Sequence, residues 1–209
     1  MSTGTIPAVT ELAHLKAAQT AQPVHELIAR RWSPRAFSER EVTSEQLVSL
    51  LEAARWATSS YNEQPWRFIV ARKGDPETYD KLLSSLMELN QLWARSAPVL
   101  ILSLAKKTFT HNGTPNLYAL HDAGMAFSNL ALQATAMGLS VHFMGGFNRA
   151  VARTAFQIPD DYELGAVAAI GYAGDPDTLP EKFRQAELAP RTRKPLAELV
   201  YAGQRALAL

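Results

Sequence analysis

The sequence predicts a single α+β domain in which a sheet is layered between helices. Three observations carry that prediction. Four short runs rich in β-branched, aromatic and small apolar residues stand at 66–72, 98–105, 140–144 and 165–172, each of strand length. Before and between them lie segments whose apolar residues recur at helical spacing, and these outnumber the strands. No internal repeat and no flexible linker divides the 209 residues, enough for one sizeable core.

The elements follow in order. Residues 1–22 read as an N-terminal arm, in which Val9, Leu12 and Leu15 favour a short helix although a partly ordered tail fits as well. The arm lacks the basic start and apolar run of a signal peptide. Residues 23–209 form the domain proper. Pro23 opens a short helix through His25 to Ala29, ending at Arg30 and Arg31. Thr43 and Gln46 have capping-box spacing, and Leu47, Leu50, Leu51 and Ala54 behind them give a helix with one buried stripe. Residues 66–72 (WRFIVAR) form a strand. Asp75 caps a helix with Pro76 at its first position, buried through Tyr79, Leu82, Leu83 and Leu86.

Residues 98–105 (PVLILSLA) are nearly all apolar, the mark of a strand covered on both faces. The polar residues 106–115 form a loop. Residues 117–137 form a long helix stopped by Gly138. From 123 to 136 it is small or apolar on nearly every side, which predicts burial all round, part of it by a second subunit. Residues 140–144 form a strand, Asn148 caps a helix through Phe156, and residues 165–172 form a last strand. The Pro-punctuated residues 180–193 are expected as an extended excursion, and residues 194–200 as a closing helical turn.

Composition removes several function classes. The balance of 21 Lys+Arg against 20 Asp+Glu argues against a nucleic-acid binder, which gathers a basic excess on one face. No apolar stretch is long enough to span a bilayer. Zero cysteines exclude disulfides, thiolate metal sites and a cysteine nucleophile, in keeping with a cytoplasmic protein. The five histidines lack metal-ligand spacing, and there is no strand-linked G-x-G-x-x-G, no Walker A and no G-x-S-x-G.

Chemistry gathers in a few places. Arg31, Ser33 and Arg35 crowd three phosphate-suited donors into five residues, although Arg30 and Arg31 could also neutralise a helix C-terminus. A second basic cluster, Arg191, Arg193 and Lys194, reads alone as a solvated turn; paired with the first, it could charge an anion site from a second side. Residues 59–66 (SSYNEQPW) put hydroxyls and amides on a loop between a helix and a strand, either a binding loop or an irregular helix exit. Gly145 and Gly146 after a strand permit close approach of backbone to a flat ligand, or make an ordinary tight turn.

Taken in order, Ser33-Pro34-Arg35-Ala36-Phe37, the 59–66 loop, Asn90-Gln91-Leu92-Trp93, Gly145-Gly146-Phe147, Ile170-Gly171-Tyr172 and Arg193-Lys194-Pro195-Leu196 resemble the nitroreductase family of FMN-dependent oxidoreductases. The resemblance covers about residues 24–203. It implies a three-layer mixed sheet with flanking helices, in an intertwined homodimer with FMN at the interface. It also implies that Arg31, Ser33 and Arg35 hold the FMN phosphate, joined by Arg191 and Arg193. Ser59, Ser60 and Asn62 would touch the ribityl chain and ring across the subunit boundary, Asn90 the ring edge, and Gly145 and Gly146 the ring face or N5 side. The implied activity is hydride transfer from NADH or NADPH through bound FMN to a nitroaromatic, quinone or similar flat acceptor, by ping-pong turnover. The flavin carries the chemistry, so no protein acid, base or nucleophile is named. A flavin reductase supplying a partner and a non-catalytic flavin-binding protein are the alternatives. Two departures stand out: Trp32 occupies the place of a second Arg or a His, and Thr58 that of a Pro. Residues 1–22 have no counterpart.

Overall fold

The computed structural model describes residues 9–203 and 205–206. Helices α1 (Val9–Leu15), α2 (Glu26–Arg30) and α3 (Ser44–Arg55) precede strand β1 (Trp66–Arg72). Then come α4 (Pro76–Ser85), α5 (Glu88–Ala94), β2 (Val99–Lys106), α6 (Ala119–Ala136), β3 (Ser140–Met144), α7 (Arg149–Ala155), β4 (Tyr162–Gly171) and α8 (Glu181–Leu188). The tail adds a short pair, β5 (Tyr201–Ala202) and β6 (Arg205–Ala206). No helix among the described residues is long and apolar enough to cross a membrane.

The main sheet is open, with the order β1-β2-β4-β3, and every pairing in it is antiparallel; helices and strands are mixed along the chain around it. The two central strands explain the layering. In β2, Leu100, Leu102 and Leu104 pack into one core with Tyr79 and Leu82 of α4, Trp93 of α5 and Ala152 of α7. Its Val99, Ile101 and Ala105 join a second core with Leu47 and Leu50 of α3 and Phe127 and Leu130 of α6. Period-two alternation thus sends one apolar strand into two cores, giving three layers of helices, sheet and helices.

A bulge interrupts the β2–β4 ladder between Leu102 and Leu104. Ser103 Oγ accepts from the Ala166 N–H (3.0 Å) and donates to the Ala166 carbonyl (3.2 Å), satisfying the displaced backbone. Gly165 is required there, because a Cβ would stand 2.5 Å from Ser103 Oγ.

Local signals act as the sequence predicts. Thr43 and Gln46 exchange both capping-box hydrogen bonds, and Asp75 and Asn148 accept from the first turns of α4 and α7. One expectation is corrected. Residues 180–193 are not wholly extended, because Glu181–Leu188 (EKFRQAEL), all good helix formers but Phe183, follows Pro180 and folds as α8. Helix α6 is not buried all round within one chain. Ala123, Ala126, Phe127, Leu130, Ala131 and Ala134 are buried, but Leu120, Gly124 and Ser128 are exposed on the opposite side.

Candidate functional site

Three groups of polar residues are set around this framework. The first is a cavity of about 240 Å³ lined by Lys16, Arg31, Trp32, Ser33, Arg35, Ala186, Glu187, Arg191 and Arg193. The chain from the C-terminal end of α2 carries Arg31, Ser33 and Arg35 across one wall, and the segment after α8 brings Arg191 and Arg193 to the other. The structure therefore joins the two basic clusters that lie about 160 residues apart in sequence. Arg31 Nη1 donates to Ser33 Oγ (3.1 Å), which ties the two side chains together at the cavity wall. Arg191 Nη1 donates to the carbonyls of Lys16 (2.9 Å) and Ala29 (3.0 Å), clamping the arm to the end of α2. The Arg35 guanidinium lies 6.0 Å over the Trp93 ring and 5.7 Å over Phe183. Trp32 does not exclude Arg31 from the cavity, because both line it.

Five cationic side chains face one carboxylate in this space, and the charges feel it. Burial, then Arg191 and Arg193, pull the Arg31 guanidinium below its ordinary range. Burial and Arg193 do the same to Arg191. Glu187 is 1% exposed, and its Oε1 accepts from the backbone N–H groups of Arg35 (2.8 Å) and Ala36 (3.1 Å). Burial pushes its carboxyl upward against those bonds and the nearby Arg35 and Lys16. The cavity is thus suited in charge to an anion: guanidinium groups and a hydroxyl line it, and an incoming negative charge would relieve the repulsion among the cations.

The second group is centred on Asn90 and the two glycines. Asn90 Nδ2 donates to the Gly146 carbonyl (2.9 Å), which also accepts from the Met87 N–H (3.0 Å). Both lone pairs of that carbonyl are used, leaving the Asn90 Oδ1 and the N–H groups of Gly145 and Gly146 without partners among the described residues. A Cβ on Gly146 would lie 2.8 Å from Asn90 Nδ2, so any larger residue would have to displace the Asn90 amide from this position. One helical turn along α5, Trp93 lies 4.5 Å from the His142 ring of β3. The His142 Nδ1–H donates to the Pro34 carbonyl (2.9 Å), since a carbonyl can only accept. Burial pushes His142 down to about 4, with Arg35 and Arg31 adding to the effect. Asn90 and Trp93 on α5, and His142 on β3, thus link the glycine corner to the Pro34 segment that lies between Ser33 and Arg35.

The third group stands apart. Ser59 and Ser60 line a separate cavity of about 290 Å³ with Thr58, Tyr118, His121, Asp122 and Met125, sharing no residue with the basic cavity. The Ser60 N–H donates to Asp122 Oδ2 (2.9 Å) and Ser59 Oγ accepts from the Gln64 N–H (3.0 Å). Tyr61, Asn62 and Gln64 all have φ near +50°, which strains a non-glycine backbone. Asn62 is exposed and lines neither cavity. Within one chain, Ser59, Ser60 and Asn62 are not brought to Arg31.

Sequence reasoning missed Lys16, Trp32 and Glu187 as parts of the basic cavity. Lys16 and Glu187 are buried charges, at 4% and 1% exposure, yet nothing in their local sequence distinguishes them from solvated ones. Trp32, beside the first cluster, was visible only as a departure.

Comparison with known proteins gives a consistent result. A model of the nitroreductase family matches residues 28–172, more than half of the chain. The chain is similar to a crystal structure of an oxidoreductase containing FMN, at 39% identity and TM-score 0.84, over 89% of this chain and 94% of that one. It is similar to a nitroreductase-family protein of Clostridium difficile 630, at 30% identity and TM-score 0.66, over 84% of this chain and 95% of that one. A protein of Archaeoglobus fulgidus, provisionally named an NADH dehydrogenase/NAD(P)H nitroreductase, is 28% identical over 71% of this chain and 84% of its own.

Proposed function

The chain belongs to the nitroreductase family, and from that premise we propose that it is an FMN-dependent oxidoreductase moving electrons from NADH or NADPH to a nitroaromatic, quinone or similar flat acceptor. The observation that carries this reading is the basic cavity, which Arg31, Ser33, Arg35, Arg191 and Arg193 line together. Their chemistry fits a phosphate monoester, and the mutual repulsion of the cations is what such a dianion relieves. When bound, FMN supplies two-electron carriage between donor and acceptor.

The protein's part is binding and orientation. The basic cavity anchors the phosphate. Asn90 Oδ1 and the N–H groups of Gly145 and Gly146 offer an acceptor and two donors suited to the polar edge of a flavin ring, and the corner they form is rigid because Asn90 is tied to Gly146. Donor and acceptor would use one ring face in turn, which gives ping-pong kinetics and needs no separate dinucleotide fold.

Ser59, Ser60 and Asn62 are proposed to complete the site of a second subunit in an intertwined homodimer. Two features support this. Their loop is pinned to Asp122 of α6, away from its own chain's basic cavity. Alongside it runs an uncovered apolar row, with Leu117 89%, Tyr118 57% and Leu120 47% exposed.

The test is an absorbance spectrum of the purified protein under anaerobic conditions, before and after NADH and then NADPH. A flavin spectrum that bleaches is expected, and the effective donor identifies the nicotinamide preference. Flavin that stays oxidised with both donors would favour a binding role, and a colourless protein that takes up no added FMN would overturn the proposal. Reduced flavin appearing in the filtrate would favour a reductase that serves a partner.

A further inference from the structure

We infer that Lys16, on the N-terminal arm that precedes the family-matched region, binds the anion of the basic cavity directly, as a ligand of the cofactor's phosphate. This rests on the reading that the cavity holds the FMN phosphate. The residue lies in a segment for which the family resemblance offers no counterpart, and its neighbours give no sequence signal of binding.

The argument begins with burial. Lys16 is 4% exposed, although Lys is among the residues least often taken out of water. Its ammonium has three N–H donors. Two go to the carbonyls of Ala186 (3.2 Å) and Ala189 at the C-terminal end of α8, where a cation is favoured by the helix dipole. The third has no hydrogen-bond partner among the described residues, and the same side chain lines the cavity that Arg31, Ser33 and Arg35 face.

The charge is uncompensated as well. No carboxylate among the described residues lies within 4.0 Å of the ammonium. The nearest acid in the cavity, Glu187, is already committed to the N–H groups of Arg35 and Ala36. Burial lowers the Lys16 ammonium, with Arg35 and Arg191 adding to the effect and Glu187 opposing it. A buried ammonium with an unused donor and no close counter-charge is costly, and an anion in the cavity removes both costs.

The arm is also anchored well enough to position the group. Leu12, one turn before Lys16, is 1% exposed. The Lys16 ammonium sits 5.2 Å over the Trp32 ring, and the Lys16 carbonyl accepts from Arg191, so one arm residue contributes to both walls of the cavity. Trp32, the residue that departs from the family pattern, is the platform on which this added cation rests.

The experiment compares FMN with riboflavin, which lacks the phosphate, as ligands of the full-length apoprotein. Dissociation constants are read from flavin fluorescence for the wild type, Lys16→Met and Lys16→Gln. Methionine keeps the apolar stem. Glutamine keeps N–H donors for Ala186 and Ala189 but not the charge, so it carries the test if the methionine variant does not fold. The expected result is an FMN dissociation constant raised about tenfold or more, as for the loss of a charged hydrogen bond, with riboflavin unchanged within about twofold. An FMN-over-riboflavin preference equal to the wild type's would overturn the inference while leaving the FMN reading intact, and so would equal weakening of both ligands. A wild type that binds both ligands equally would overturn the FMN-phosphate reading and the inference with it.

Discussion

Glu187 offers a demanding test of the charge arrangement in the basic cavity. Its carboxylate is buried, accepts two backbone N–H groups and is the single negative group facing five cations. Replacement by alanine leaves the Arg35 and Ala36 N–H groups unpaired in a buried place, and each hydrogen bond to a charged acceptor contributes about 1.5–3 kcal/mol. The total lies near the loss seen when one partner of a buried charge pair is removed, about 3–5 kcal/mol. We therefore expect Glu187→Ala to lose about 4 kcal/mol of stability. Glu187→Gln retains an oxygen acceptor without the charge and should lose about half as much. Urea titration followed by tryptophan fluorescence reads this directly, since Trp93 is buried beside Arg35. In a thermal melt the alanine variant should shift by roughly 8–16 °C for a domain of this size. Because the cations are then left without a counter-charge, inorganic phosphate should stabilise Glu187→Ala more than the wild type. A loss below about 1 kcal/mol in the alanine variant, or a glutamine variant no better than alanine, would refute this account.

Two further outcomes follow from the geometry. His142 is held at about 4 by burial, against about 6.5 in an unfolded chain, so the unfolded state takes up the proton first and its contribution to stability is lost as pH falls through that window. The wild type should lose about 3 kcal/mol between pH 7 and pH 4 from this group, and His142→Gln should show a flatter profile in urea midpoints across the same range; parallel profiles would sink the assignment. On the exposed apolar row at the start of α6, Leu117→Glu just before the helix combined with Leu120→Glu in its first turn should convert a dimer to a monomer in size-exclusion chromatography with light scattering, and a wild type that is already monomeric would remove the basis for the shared site.

The fold was legible wherever the decisive physics is local. The Thr43–Gln46 capping box, the Asp75-Pro76 helix start and the WRFIVAR strand each carry their signal within a few residues, and each element forms where that signal lies. Helix α8 was hidden because the prolines beside it signal loop more strongly than seven good helix formers in eight residues signal helix. Which side of α6 meets the core was not legible, because a small, apolar surface looks the same in sequence whether it faces a core or another molecule. At the site, Arg31, Ser33 and Arg35 were visible through their crowding, but Lys16 and Glu187 belong to the cavity only through contacts about 150 to 175 residues apart, which no local pattern records.

The clamp that Arg191 makes on Lys16 and Ala29 also sets an order of events in the making of this molecule. All four strands of the main sheet, and nearly all of both cores, are complete once residue 171 has been added to the chain. The anion cavity cannot exist until some twenty residues later, when Arg191 reaches back to the beginning of the polypeptide. On the ribosome, where chain ends emerge last, the body of the protein can thus collapse around its sheet before there is anywhere to put a phosphate. On the reading proposed above, cofactor binding would then follow formation of the sheet, because Arg191 ties the segment after α8 to the arm and to the end of α2.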